Sequence, residues 1–150
     1  MRVALGADHA GVLLKDVVRS KLESQGIVVQ DVGTADEASV DYPDYAVAVG
    51  RSVATGDADR GILVCGTGLG MAIAANKVDG VRATAIVDLE SARLAREHND
   101  ANVLALGARL TSPELAWQIV EVFLDTPFAG GRHQRRLEKI TAIEHGRSAR

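Results

Sequence analysis

A single cysteine occurs in the chain, and its neighbours make it chemically eligible. Cys65 ends the short apolar run Ile62, Leu63, Val64 and is followed by Gly66, Thr67, Gly68, Leu69 and Gly70, after which the sequence turns alanine-rich and apolar through Ala75. That pattern reads as buried strand, glycine loop, helix. The glycines let the loop turn sharply, and the unpaired first-turn amides of the following helix then point into it as an anion cradle. A sulfur placed there lies beside amide donors and the positive end of a helix dipole, a setting that favours thiolate over thiol. Three readings compete. The loop could hold a dinucleotide, Cys65 could be a buried filler in an ordinary strand-to-helix turn, or Cys65 could act as base or nucleophile beside an oxyanion-binding loop. The first fits worst, because Gly66, Gly68 and Gly70 give G-x-G-x-G where a dinucleotide fingerprint needs G-x-G-x-x-G.

Other residues suited to chemistry also follow apolar runs. Asp8 and His9 come directly after residues 2–7, at the carboxyl end of a first strand. His98 and Asn99 close a helix that Asp88 can cap. Arg109 follows a strand over 102–106. Arg132 and Arg136 lie one turn apart at the start of a last helix, just after Gly130 and Gly131. Positive charge at a helix start opposes the dipole, so the pair is destabilising unless an anion compensates it. The acid-rich loop over 33–43 reads as a solvated connector rather than a metal site.

The elements that must position these residues alternate regularly. Strands are expected over 2–7, 27–32, 61–65, 81–87 and 102–106. Helices carry Leu13 to Leu22, then a segment capped by Asp44 and ending at Gly56, then the segment after Gly70 running to 77–80, then Asp88 to His98. The fifth helix starts at Thr111-Ser112-Pro113-Glu114 and the sixth carries Leu137, Ile140 and Ile143. Five strands alternating with helices through short connections predict the α/β class. The expected architecture is a three-layer α/β/α sandwich with a five-stranded parallel sheet, Rossmann-like, as one domain over 1–150. If the first and third strands are neighbours, Asp8, His9 and Cys65 meet at the carboxyl edge of the sheet, where such folds bind ligands.

Composition sets bounds on the rest. With 150 residues, 47% hydrophobic, the chain can bury a full core, and with 3% aromatic that core must be aliphatic. One cysteine allows no internal disulfide, and the N-terminus has no signal-peptide character, so a cytoplasmic location is expected. No apolar run is long enough for a membrane span, and a net charge of −3 gives no footprint for nucleic acid. No cluster with metal-ligand spacing is seen.

Taken together, GADHAG, DYPDYA, CGTGLGM, IAANK, REHNDANVLALGAR, GGRHQRR and the closing ITAIE resemble the type B ribose-5-phosphate isomerases, relatives of the galactose-6-phosphate and allose-6-phosphate isomerases. The resemblance covers nearly the whole chain. It implies an aldose–ketose isomerase acting on ribose 5-phosphate and ribulose 5-phosphate, with Cys65 as proton-transfer base and His98 assisting ring opening. It also implies substrate binding by Asp8, His9, Gly66, Gly68, Leu69, Gly70, Asn99, Arg109, Arg132 and Arg136. It implies a homodimer with shared active sites, or a tetramer.

The chemistry suits these residue types. Isomerisation through an enediolate needs a base unprotonated at neutral pH, and loop amides with the Thr67 hydroxyl can stabilise the developing oxyanion. Arginines suit a phosphate, and imidazole ordinarily exchanges protons near neutrality. No cofactor is required. Allose 6-phosphate, galactose 6-phosphate or a tetrose phosphate are alternative substrates, and a non-catalytic nucleotide-binding module is a rival of another class. A redox enzyme lacks a second, resolving cysteine. Topology adds one expectation: a helix from Asp88 to His98 travels about 15 Å back across the sheet, so His98 should serve a second subunit's Cys65.

Overall fold

Each of the five apolar runs forms a strand in the computed structural model, which describes residues 1–146. The strands are β1 (Arg2–Ala7), β2 (Val28–Asp31), β3 (Arg60–Cys65), β4 (Ala83–Ala85) and β5 (Val103–Gly107). All pair in parallel, in the order β2-β1-β3-β5-β4. The helices are α1 (Val12–Ser24), α2 (Tyr42–Ala54), α3 (Leu69–Ala75), α4 (Leu89–Asn99), α5 (Pro113–Asp125) and α6 (Arg132–Glu144).

The three central strands read as uninterrupted apolar runs because helices cover both faces of the sheet. Leu14, Val18 and Leu22 of α1 join Ala92 of α4 and Val120 and Phe123 of α5 on one face. Ala46 and Val49 of α2 join Met71 and Ala75 of α3 on the other. Leu5, Ile62, Leu63, Leu104 and Leu106 are fully buried between these layers, and each contributes roughly 1.5–3 kcal/mol. The result is the three-layer, Rossmann-like sandwich expected from the sequence.

β1 and β3 are neighbours, in register from Val3↔Arg60 to Ala7↔Val64. From β1 the winding proceeds to β2 on one side, and from β3 it proceeds to β5 and β4 on the other. The reversal opens a crevice at the carboxyl ends of β1 and β3.

Several expected boundaries differ: β3 begins one residue earlier and β5 is shifted one residue later than expected, and four differences are larger or have a visible cause. β2 covers 28–31 rather than 27–32. β4 has three residues rather than seven: it lies at the sheet edge, and just ahead of it the Asn102 side chain accepts the Arg82 N–H at 2.7 Å and donates to the Gly80 carbonyl at 2.8 Å in place of strand pairing. The Asn76 amide donates to the Ala83 carbonyl at 2.9 Å and accepts the Ala83 N–H at 2.8 Å. α3 stops at Ala75 rather than near 77–80: Asn76 is its C-cap and still bonds Ala72, but the next two amides, of Lys77 and Val78, bond only three residues back, to the Ala74 and Ala75 carbonyls at 3.1 and 3.0 Å. In α2 the N-cap position is Asp41, not Asp44. Pro43 lies inside the first turn, where its missing N–H costs nothing, and Asp44 is a first-turn acid. The other two caps are as expected: Asp88 accepts from Ser91 N–H and Ser112 from Leu115 N–H.

Candidate active site

The crevice is built on the last residue of β3. Cys65 is 5% exposed, and its Sγ accepts the Gly68 N–H at 3.1 Å. Gly68 can offer that amide because its φ of 77° folds the loop back over the strand end at the start of α3. The neighbouring strand stays zipped beyond the sheet proper: Ala108 N–H donates to the Cys65 carbonyl at 2.8 Å and Arg109 N–H to the Gly66 carbonyl at 3.0 Å. This lays the Arg109 guanidinium across Gly66. A Cβ at residue 66 would lie 2.9 Å from Arg109 Nη1, so the glycine is what lets the cation approach the loop.

β1 supplies the opposite wall. The Asp8 N–H donates to the Val64 carbonyl at 3.2 Å, and the Asp8 carboxylate, 6% exposed, accepts Ala10 N–H at 3.0 Å and Gly11 N–H at 3.2 Å. That turn directs His9 across the crevice, where Nδ1 accepts the Val40 N–H at 3.2 Å. The Thr67 hydroxyl accepts the Leu69 N–H at 3.3 Å, which leaves its own proton to donate to a ligand. Together Asp8, His9, Ala10, Tyr42, Cys65, Gly66, Thr67, Gly70 and Arg109 enclose a cleft of about 250 Å³. A soft nucleophilic atom, a hydroxyl, an imidazole, a carboxylate and a guanidinium thus converge on one small polar space. Among the described residues no group of three or more His, Cys, Asp or Glu could hold a metal ion, and no helix is long and apolar enough to cross a membrane.

A family model described as Ribose/Galactose Isomerase matches residues 3–140. The chain is 48% identical over 147 residues to "Ribose-5-phosphate isomerase B" of Escherichia coli K12, covering 98% of this chain and 99% of that one. It belongs to the ribose/galactose isomerase family. The isomerase is also similar, at 43% identity over 147 residues, to "D-erythrulose-4-phosphate isomerase" of Pectobacterium atrosepticum, covering 97% of this chain and 96% of that one. Among solved structures, it superposes with TM-score 0.92 and 42% identity on ribose-5-phosphate isomerase B of Mycoplasma genitalium with bound ribulose-5-phosphate, covering 96% of each chain.

Within one chain of this isomerase, the residues expected to form the site divide into two groups. Asp8, His9, Cys65, Gly66, Thr67, Gly70 and Arg109 line the cleft. Gly68 acts from behind it, through its amide. Leu69 does not line it and is 57% exposed. His98, Asn99, Arg132 and Arg136 lie elsewhere. α4 ends at Asn99, just before β5 begins at Val103, whereas Cys65 pairs with Gly107 at the far end of β5. Four residues of strand separate the two levels by roughly 13 Å.

The last turn of α4 is firmly held. Asp100 takes a left-handed conformation with φ 43°. Its carboxylate accepts from Arg96 at 2.8 Å, and its carbonyl accepts from Arg82 at 2.9 Å. On that turn His98 stacks on His133 of α6, ring centroids 4.2 Å apart and 13° from parallel. Burial holds His133 below its ordinary protonation range, and the nearby charges of His98, Arg132 and Arg136 add to that depression against a smaller opposing effect of Glu97. A roomier cavity of about 560 Å³ opens on this side, between Asn76, Arg82, Asn99, Ile140 and Ile143 among others. Its lining holds neither thiol nor imidazole, so it is the smaller cleft that is equipped for the chemistry expected of Cys65.

Tyr42 and Ala10 line the cleft without having been singled out among the candidate residues. The signal for Tyr42 was its place just ahead of Pro43, which marks a helix start, on a helix that must begin at the carboxyl edge of a parallel sheet. Its ring lies against α3, where a Cβ at Gly70 would sit 2.6 Å from Tyr42 Cζ.

Proposed function

We propose that the chain interconverts ribose 5-phosphate and ribulose 5-phosphate through an enediolate, acting as one isomerase domain with Cys65 as the proton-transfer base and no cofactor. The observation that carries this reading is the Gly68 N–H donated to Cys65 Sγ at 3.1 Å, on the wall of a cleft that also holds Asp8, His9 and Arg109. An amide aimed at sulfur stabilises the thiolate. The thiolate takes the C2 proton of the open-chain aldose, and the electron pair left behind forms the C1–C2 double bond as charge moves to O1. Thr67 O–H and the loop amides stabilise that oxygen. The C2 hydroxyl proton passes to O1, and the proton on sulfur returns to C1, giving the ketose. Arg109 holds the phosphate from this chain. His98, for ring opening, and Asn99, Arg132 and Arg136, for binding, come from a second copy in a homodimer, because their own chain places them at the other level of the sheet.

Turnover of ribose 5-phosphate in D₂O, followed by proton NMR, tests this. Wild type is expected to place solvent deuterium at C1 of ribulose 5-phosphate and at C2 of ribose 5-phosphate. Cys65→Ser should still bind the sugar phosphate while losing most turnover and exchange, since a serine hydroxyl is far too weak an acid to supply the base. A near-wild-type rate in Cys65→Ser would remove Cys65 from the mechanism.

A second substrate reading rests on the relative named for D-erythrulose 4-phosphate. Comparing kcat/KM across tetrose, ribose, allose and galactose phosphates separates these readings. Nucleotide affinity with indifference to loss of Cys65 would instead mark a non-catalytic nucleotide-binding module.

A further inference from the structure

Lys15 is buried to 2% exposure on α1, an unusual place for an ammonium group unless it is fully bonded. Its Nζ donates to Asp31 Oδ2 at 2.8 Å, to Asp31 Oδ1 at 3.1 Å and to the Thr34 carbonyl at 2.9 Å. Those three bonds use all the protons of the group. They tie α1 to the end of β2 and to the first residues of the loop that follows. The same loop start is tied to β1, since Thr34 N–H donates to the Ala7 carbonyl at 3.1 Å, and Asp31 Oδ1 also takes the Gly33 N–H at 3.0 Å. Along the loop, the Asp36 carboxylate accepts the Ala38 N–H at 2.8 Å. At its far end, Val40 N–H donates to His9 Nδ1 at 3.2 Å.

A ring nitrogen that accepts a backbone N–H carries no proton of its own. The proton of neutral His9 is therefore on Nε2. We propose that Lys15 is a positioning residue for His9: its clamp on Asp31 and Thr34 fixes the 33–41 loop, the loop delivers the Val40 N–H to Nδ1, and His9 is thereby set to present Nε2–H as a donor to an anionic ligand in the cleft. The kinetic consequence rests on the sugar-phosphate reading above, whereas the tautomer does not.

Long-range ¹H–¹⁵N NMR of the imidazoles in ligand-free protein tests the assignment. The His9 signals are identified by their absence in His9→Gln. Wild-type His9 is expected as the Nε2–H tautomer. In Lys15→Met it should become a tautomer mixture, and KM for ribose 5-phosphate should rise about fivefold with kcat within about twofold, the loss of one well-aimed hydrogen bond to bound ligand. Lys15→Met leaves the Asp31 carboxylate with Arg19, at 3.1 Å, as its cation and with the Gly33 N–H, at 3.0 Å. Lys15→Met/Asp31→Asn removes both charges and is the variant to use if the single one does not fold. A lowered Tm with an unchanged Nε2–H tautomer in either folded variant would make Lys15 purely structural and overturn the proposal, as would an Nδ1–H tautomer in wild type. If wild type shows no isomerase turnover but the tautomer shifts as expected, the positioning device stands and the substrate assignment fails.

Discussion

At Gly70 the absence of a side chain decides the shape of the cleft, because a Cβ there would lie 2.6 Å from Tyr42 Cζ and 2.9 Å from its hydroxyl. Gly70→Ala should therefore move the Tyr42 ring. Alanine is the better helix former by about 1 kcal/mol, so thermal stability is expected to hold or rise while KM for ribose 5-phosphate increases. Steady-state kinetics and a melting curve on one sample check this, and an unchanged KM would mean that Tyr42 does not border the bound sugar. The arginines of α6 give a second test. Arg132→Ala and Arg136→Ala should each raise KM for the sugar phosphate by about tenfold or more, from loss of roughly 1.5–3 kcal/mol of charged hydrogen bonding. Residual handling of unphosphorylated ribose should be unaffected. Equal losses on both sugars would assign the arginines to structure.

At the scale of elements, α4 and α6 meet through the His98–His133 stack, and that contact is sensitive to protonation. His133 is 9% exposed, and burial, with the positive charge around it, depresses its protonation from the ordinary value of 6.5. The folded chain thus binds fewer protons at His133 than the unfolded chain does, so stability rises with pH across this window. The contribution is complete above about 6.5 and is lost as pH falls from there toward the depressed folded value. Tm measured against pH should fall more steeply below 6.5 in wild type than in His133→Asn. Parallel curves would show that the stack is indifferent to charge.

Much of this arrangement was legible in the sequence. Uninterrupted apolar runs announced β1, β3 and β5, and the polar residues at their ends marked the carboxyl edge. The short β4 was not legible, because Val81 to Val87 is apolar enough for a full strand and the Asn102 side-chain bonds to Arg82 and Gly80 that replace pairing at its start are tertiary. Asp44 looked like a cap because acids favour both the cap and the first turn, and the position of Pro43 decides between them. Lys15 gave no signal at all: a lysine four residues into an amphipathic helix reads as a solvated charge until Asp31 is folded beneath it.

For the whole molecule, the governing fact is that parallel winding separates Cys65 from His98. α4 must run back across the sheet between β4 and β5, and its end is pinned by Asp100, Arg82 and Arg96. A rotamer change cannot bridge roughly 13 Å of strand. A two-fold dimer can bridge it twice at once, each chain giving His98 to the other's cleft. Exposed apolar residues on the elements around the β4 edge, Leu69 and Ile73 of α3, Val87, and Ile140 and Ile143 of α6, offer a face for such a partner.

The direct measurement is complementation between two defective chains. Cys65→Ser and His98→Ala, each nearly inactive alone, are co-refolded in equal amounts. About half of the dimers are then mixed, and each mixed dimer has one site with both native residues, so activity on ribose 5-phosphate should return to roughly a quarter of wild type. Absence of recovery, in mixtures shown by native mass spectrometry to contain heterodimers, would contradict the account by placing both residues in one chain's site.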